Sequence, residues 1–217
     1  MRYEIKLPAL TGQISELETA IKLNSRCFNE IFYKRRVNNI YFDDLKNSSF
    51  YENFDGIANR IKYRIRWYGN QFGEIDPILE LKIKKGFAGY KESYKLKNFN
   101  FHVKISSEEI ISQIIKNDIP DQVKEELFLK SPVLFNSYMR KYFITFDKKY
   151  RLTLDSEIEY IKFEKGLSSV KMDDESVVLE LKYDIEDEPE ARKVINDLPV
   201  RINKNSKFSR GILMTRE

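Results

Sequence analysis

Arg64 and Arg66 stand two residues apart, with Lys62 before them, in the stretch Arg60-Ile61-Lys62-Tyr63-Arg64-Ile65-Arg66-Trp67-Tyr68. In an extended chain, residues i and i+2 point to the same side about 6.5–7 Å apart. The cations therefore share one face, and Ile61, Tyr63, Ile65 and Trp67 share the other. The tetrapeptide Leu-Glu-Leu-Lys occurs verbatim at 79–82 and 179–182, so Glu80 lines up with Lys82 and Glu180 with Lys182; Glu4 and Lys6 repeat the spacing. Arg151, Thr153 and Asp155 alternate with Leu152 and Leu154. An arginine grips phosphate oxygens bidentately and a lysine acts as a point charge. A carboxylate on the same face can hold a hard divalent metal that bridges phosphate oxygens.

An ordinary sheet with one face on a core and the other in water shows the same alternation. Here the polar faces are unusually uniform in Arg, Lys and Glu. If they turn inward, burying so many cations without a counter-charge would be prohibitive, and a polyanion would complete the arrangement. Inward charges could not reach a nucleic-acid duplex. The net charge of +4, from 38 Lys+Arg against 34 Asp+Glu, is too small for a general nucleic-acid coat.

The elements that must position these side chains are strands. Period-2 alternation predicts them at Arg2–Leu7, Val37–Asp43, Arg60–Tyr68, Ile78–Lys84, Tyr90–Leu96, Phe135–Phe146, Tyr150–Tyr160 and Ser176–Tyr183. Short turns at Gly69–Gly73, Gly86 and Asp147–Lys149 predict hairpins and a mostly antiparallel sheet. Helices are expected at Ser15–Ser25, where Ser15 and Glu18 have capping-box spacing, from Ser106 to before Pro120, at Asp187–Asn196 and at Lys204–Leu213. No linker or composition break interrupts residues 1–217, which read as a single domain.

With 41% hydrophobic residues, including 15 Phe and 13 Tyr, the chain can bury a core. One cysteine, Cys27, excludes an internal disulfide and a cysteine zinc cluster. One histidine, His102, excludes a His-rich metal site and reads as structural. No signal sequence and no apolar run of about 20 residues is present, so the expected setting is cytoplasmic.

Eight short motifs, in order, resemble the VTC domain, the polyphosphate polymerase domain of the triphosphate tunnel metalloenzyme (CYTH-like) superfamily. They are Arg2-Tyr3-Glu4-Ile5-Lys6, Ile40-Tyr41-Phe42-Asp43, Lys62 to Gly69, Leu79 to Lys82, Tyr138-Met139-Arg140, Arg151 to Asp155, Leu179 to Lys182 and Ser206 to Gly211. The resemblance implies an α+β fold, an antiparallel closed β-barrel or tunnel of about eight strands with helices packed outside. It implies phosphate binding by Lys6, Arg64, Arg66, Lys82, Arg140, Arg151, Lys182, Lys204 and Lys207. Arg64, Arg66, Lys82, Arg151 and Lys207 would carry the chemical step, with Glu180 the ligand of a Mn2+ or Mg2+ ion and Glu4 a further tunnel residue. Hydrolytic relatives often begin Glu-x-Glu-x-Lys; Arg2 replaces the first glutamate here and favours the polymerase branch. No inositol-phosphate-sensing SPX segment and no transmembrane tail accompany the domain, which implies a free-standing, prokaryotic member.

Three activities follow from the resemblance. One transfers the γ-phosphoryl group of ATP onto polyphosphate, which needs positioning and charge neutralisation rather than a covalent nucleophile. The second hydrolyses tripolyphosphate or a nucleoside triphosphate. The third is a non-catalytic polyphosphate-binding module docked on a membrane partner.

Overall fold

The structure, a computed structural model, describes residues 2–86 and 88–216, the side chains of Arg2 and Ala88 excepted. In chain order come β1 (Arg2–Leu10), α1 (Ile14–Leu23), β2 (Phe28–Asp43), α2 (Ser48–Phe54), β3 (Arg60–Tyr68), β4 (Gly73–Ile75), β5 (Ile78–Lys85), β6 (Ala88–Lys95) and β7 (Phe99–Phe101). They are followed by α3 (Ser107–Ile115), α4 (Asp121–Phe128), β8 (Ser131–Thr145), β9 (Arg151–Phe163), β10 (Leu167–Asp174), β11 (Ser176–Asp184), α5 (Glu188–Asn196) and α6 (Lys207–Met214). Among the described residues no helix is long and apolar enough to cross a membrane.

The strands join in the order β1-β11-β9-β8-β2-β3-β5-β6, with β10 beside β9, while β4 and β7 form a separate pair. The expected count of about eight strands holds, but the hydrogen-bonded path is open between β1 and β6 rather than a closed ring. β6 has the character of an edge: Tyr90, Lys91, Ser93 and Lys95 are exposed, and lysines on an edge strand discourage further pairing.

The chain divides into two compact units. The first comprises Met1–Arg35, Tyr138–Ile158 and Asp173–Asn205. Its core joins Leu7 of β1, Leu152 and Leu154 of β9 and Val177, Leu179 and Leu181 of β11 to Leu17 and Ile21 of α1 and Ala191 and Val194 of α5. Each fully buried aliphatic side chain of this kind contributes roughly 1.5–3 kcal/mol.

The second unit comprises Arg36–Ser137, Glu159–Met172 and Ser206–Glu217. Its core gathers the apolar faces of β3 (Tyr63, Ile65, Trp67) and β5 (Leu79, Leu81, Ile83) under Ile110 and Ile114 of α3 and Val123 and Leu127 of α4. Asp43, wholly buried at the end of β2, accepts the backbone N–H of Ser49 at 2.8 Å and of Phe50 at 2.9 Å. It thereby satisfies first-turn donors of α2. Ser106 caps α3 through Glu109 N at 3.1 Å, at the residue where a helix was expected to begin.

The Ser15/Glu18 signature does not cap α1. That helix starts at Ile14, already in a helical turn after Thr11–Gln13, so Ser15 lies inside it and its carbonyl accepts from the Thr19 hydroxyl. α2, α4, β4, β7, β10 and the first nine residues of β2 had no counterpart among the expected elements.

Candidate anion-binding strand faces

In the second unit the polar face of β3 lies between β2 and β5. Pairing sets Arg64 opposite Tyr41 on one side and Glu80 on the other, and Arg66 opposite Asn39. Glu80 is 3% exposed. Its carboxylate accepts Arg64 Nε at 2.7 Å and Lys91 Nζ at 2.6 Å, with Arg66 Nε at 3.9 Å. Burial by itself raises the Glu80 pKa, but the charges of Arg64, Arg66 and Lys91 outweigh it and hold the carboxyl at about 2. One buried anion is thus surrounded by three cations.

Tyr41, 6% exposed, belongs to the same cluster. Burial raises its phenol, yet the charges of Arg64 and Arg66, a hydrogen bond from Arg64 and the charge of Lys207 together bring it below the ordinary tyrosine value. Lys207 opens α6, whose Phe208 is buried against the Tyr41 ring at 5.1 Å. α6 can lie this close because Gly211 has no side chain: a Cβ there would meet Leu134 and Tyr160 at 2.5 Å. Behind Arg66 runs a line of amides. Arg66 Nε donates to Asn39 Oδ1 at 2.8 Å, Asn39 Nδ2 to Asn136 Oδ1 at 3.2 Å, and Asn136 Nδ2 to the Glu159 carbonyl at 3.1 Å. Both asparagines are wholly buried.

The first unit repeats the theme. β1, β11 and β9 set Lys6 opposite Glu180 opposite Thr153, and Glu4 opposite Lys182 opposite Arg151. Glu180 is 7% exposed and accepts Lys182 Nζ at 2.6 Å. Burial raises its pKa, while Lys182, Lys6 and Arg140 carry it well below the ordinary carboxylate value. Glu4 takes Lys6 Nζ at 3.1 Å and lies 3.9 Å from Lys182 Nζ, so one ammonium reaches both carboxylates. Lys6 also donates to the Asn205 carbonyl at 3.1 Å. Arg140 is locked in a bidentate pair with Asp155 at 2.5 and 2.7 Å, both residues buried.

The residues named from the sequence therefore fall into two groups. Arg64, Arg66 and Lys207 meet around Glu80 and Tyr41; Lys82 is on the same face, opposite Lys62 and Lys91, and exposed. Lys6, Lys182 and Arg140 meet around Glu180, with Arg151 exposed at the next position. Lys204 is exposed and joins neither cluster; its backbone N–H bonds to Asn203 Oδ1. The Arg2 side chain lies outside the described residues. Glu80, Lys91, Asn39, Tyr41 and Asn136 carry the second cluster and were not among the expected site residues. Strand alternation puts Tyr41 two residues beyond Asn39 on one face, a signal that needs the β2–β3 pairing to be read.

Among the described residues no three His, Cys, Asp or Glu side chains converge as a metal site. His102 instead pairs with Glu109 at 3.2 Å, both exposed.

A sequence model described as the VTC domain matches residues 2–216. No curated protein matches the chain. Among solved structures, a Hippeastrum protein, a proposed adenylyl cyclase with a dominant triphosphatase activity, aligns with a TM-score of 0.57 at 16% identity, covering 98% of this chain and 96% of that one. A Vibrio parahaemolyticus protein, also a proposed adenylate cyclase, aligns with a TM-score of 0.51 at 10% identity over 94% of each chain. At such identities the likeness is one of fold.

Proposed function

The chain belongs to the VTC domain family, and from that premise we propose that it binds the triphosphate of ATP and polyphosphate on its cationic strand faces and transfers the γ-phosphoryl group with a divalent metal. The carrying observation is the buried carboxylate at the second place of each Leu-Glu-Leu-Lys tetrapeptide, Glu80 and Glu180, each surrounded by three cations. Around Glu80 this leaves a surplus of positive charge that phosphoryl oxygens would neutralise, whereas around Glu180 the carboxylates of Glu4 and Asp155 balance the cations. Arg64 and Arg66 orient and hold phosphoryl oxygens, with Glu80 and Asn39 fixing their guanidinium planes through Nε. Lys207, Lys82, Lys6 and Lys182 supply point charges, Arg151 a further guanidinium, and the charge of Arg140 helps to keep Glu180 ionised. A cytoplasmic setting belongs to the same proposal.

The donor set fits a small hard cation. Glu180 and Glu4 offer carboxylate oxygens beside a common ammonium, and Mg2+ or Mn2+ is commonly held by one or two carboxylates with substrate phosphates completing its shell. When bound, the ion would neutralise charge on the transferring group. The test is to incubate the protein with γ-labelled ATP and Mn2+ and separate products on a high-percentage gel. A ladder of lengthening chains is expected. Free phosphate without a ladder would replace transfer by hydrolysis, and intact ATP with every metal tried would reduce the protein to a binding module.

Hydrolysis is the second reading. Glu4, next to Glu180 across Lys182, is a second carboxylate able to orient an attacking water, and the Hippeastrum protein of the same fold is described as a triphosphatase.

A further inference from the structure

β2 continues past its pairing with β3. The β3 register ends at Val37 opposite Tyr68, where Gly69 N donates to the Arg36 carbonyl at 3.1 Å. The strand neighbours of β2 are β8 and β3. N-terminal to Arg36, the β3 side of β2 therefore meets no strand among the described residues. From Asn29 to Lys34 every side chain is exposed, on both faces of the strand. At the centre, Ile31 is 41% exposed, Phe32 52% and Tyr33 94%. A long apolar edge of this kind is a template for another strand, and native proteins cover it or blunt it.

We propose that this edge pairs antiparallel with the same edge of a second copy of the chain, about a two-fold axis at Phe32. Charge complementarity selects this partner and this register. In the register centred on Phe32, Glu30 stands opposite Lys34 of the second copy, Ile31 opposite its Tyr33, and Phe32 opposite its Phe32. Because side chains directly opposite share a face, one face reads Glu–Lys, Phe–Phe, Lys–Glu, and the other pairs Ile with Tyr twice. Moving the axis to Tyr33 sets Ile31 and Phe32 against Arg35 and Lys34. Moving it to Ile31 leaves Glu30 against Phe32. A parallel pairing sets Glu30 beside Glu30. Of these, only the Phe32-centred register pairs opposite charges with each other and apolar side chains with each other at every position from Glu30 to Lys34, in an isologous interface.

Within the chain, Lys34 is paired with Glu157, both side chains exposed. An exposed pair is weak enough to be shared. Arg35 lies over the Phe32 ring at 4.8 Å and the Tyr142 ring at 4.7 Å, so its guanidinium covers one side of the Phe32 ring. The proposal does not depend on phosphate binding.

Sedimentation velocity on the whole chain, over a range of concentrations, is expected to show a monomer–dimer equilibrium. Glu30→Lys and Lys34→Glu should each weaken it about tenfold, since two attractive cross-strand pairs become repulsive. Mixing the two single variants should restore it, because in the mixed pair every charge again meets its opposite. Tyr33→Glu, which leaves Glu157 untouched, should be monomeric, with circular dichroism reporting the fold of all three. A chain that stays monomeric at every soluble concentration would overturn the proposal. So would a dimer indifferent to the single exchanges, or variants whose mixture fails to recover association.

Discussion

Glu80 and Glu180 occupy the same place in the same tetrapeptide, and each is buried among cations. For Glu80 the folded carboxyl titrates near 2, below its ordinary 4.5. A depressed carboxyl contributes stability that is present above the unfolded value and is lost as pH falls through the folded one. Glu80→Gln should therefore flatten the acid limb of the stability curve between about pH 4.5 and pH 2. At neutral pH it should cost about 3 kcal/mol, the usual result of stripping a buried pair of one partner. Tripolyphosphate should restore much of that loss, because it supplies the missing negative charge. Urea unfolding across pH, with and without the ligand, measures all three effects. A variant whose acid limb is unchanged would mean that Glu80 is not the titrating group. The role of Glu80 was hidden in the sequence because Glu-x-Lys suggests a bond along one strand. The register gives Glu80 its partners across strands instead, Arg64 on β3 and Lys91 on β6.

At the scale of the element, β3 was fully legible. Its bounds, Arg60–Tyr68, are those that alternation predicts, because one face is buried and the other polar along its length. The first half of β2 was not legible, since Asn29–Lys34 are exposed on both faces and leave no period-2 signal. α2 and α4 were missed for a related reason: the start of α2 rests on Asp43, which stands four residues before the N-cap position Asn47, and that of α4 on Pro120, which has no capping side chain. The residues of β3 also divide by role. Arg64→Ala and Arg66→Ala should each lower kcat/KM by the equivalent of about 1–3 kcal/mol. Lys62 is tied instead to Asn53, which bonds Ser209 of α6, and its ammonium lies 5.7 Å from the Phe208 ring centre. Lys62→Ala should thus lower the melting temperature more than the rate constant. Three variants with equal kinetic losses would point to a diffuse basic surface.

For the whole molecule, the family and the approximate number of strands were readable because eight weak motifs occur in sequence, whereas the order of the strands in the sheet was not. The division into two compact units was not, since each is assembled from three separated stretches of chain. Two cationic faces on a protein of net charge only +4 make local surplus, not overall charge, the source of anion affinity. Tripolyphosphate should accordingly bind at least about tenfold more tightly than sulfate or monophosphate, with affinity falling steeply as salt rises. Isothermal titration calorimetry at two ionic strengths reads both quantities. No preference for the longer phosphate would refute the assignment of these faces.

Trp67 is the chain's one tryptophan, and it lies 1% exposed against Phe101 and Phe135, on the strand that carries Arg66. Its indole N–H donates to the Asn70 carbonyl at 2.8 Å. Optically, therefore, the two halves of the molecule are unequal. Emission excited at the red edge of the ultraviolet band reports the second unit alone, whereas far-ultraviolet dichroism sums over both. Recording the two signals on one sample separates the melting of one hydrophobic core from that of the other without any label.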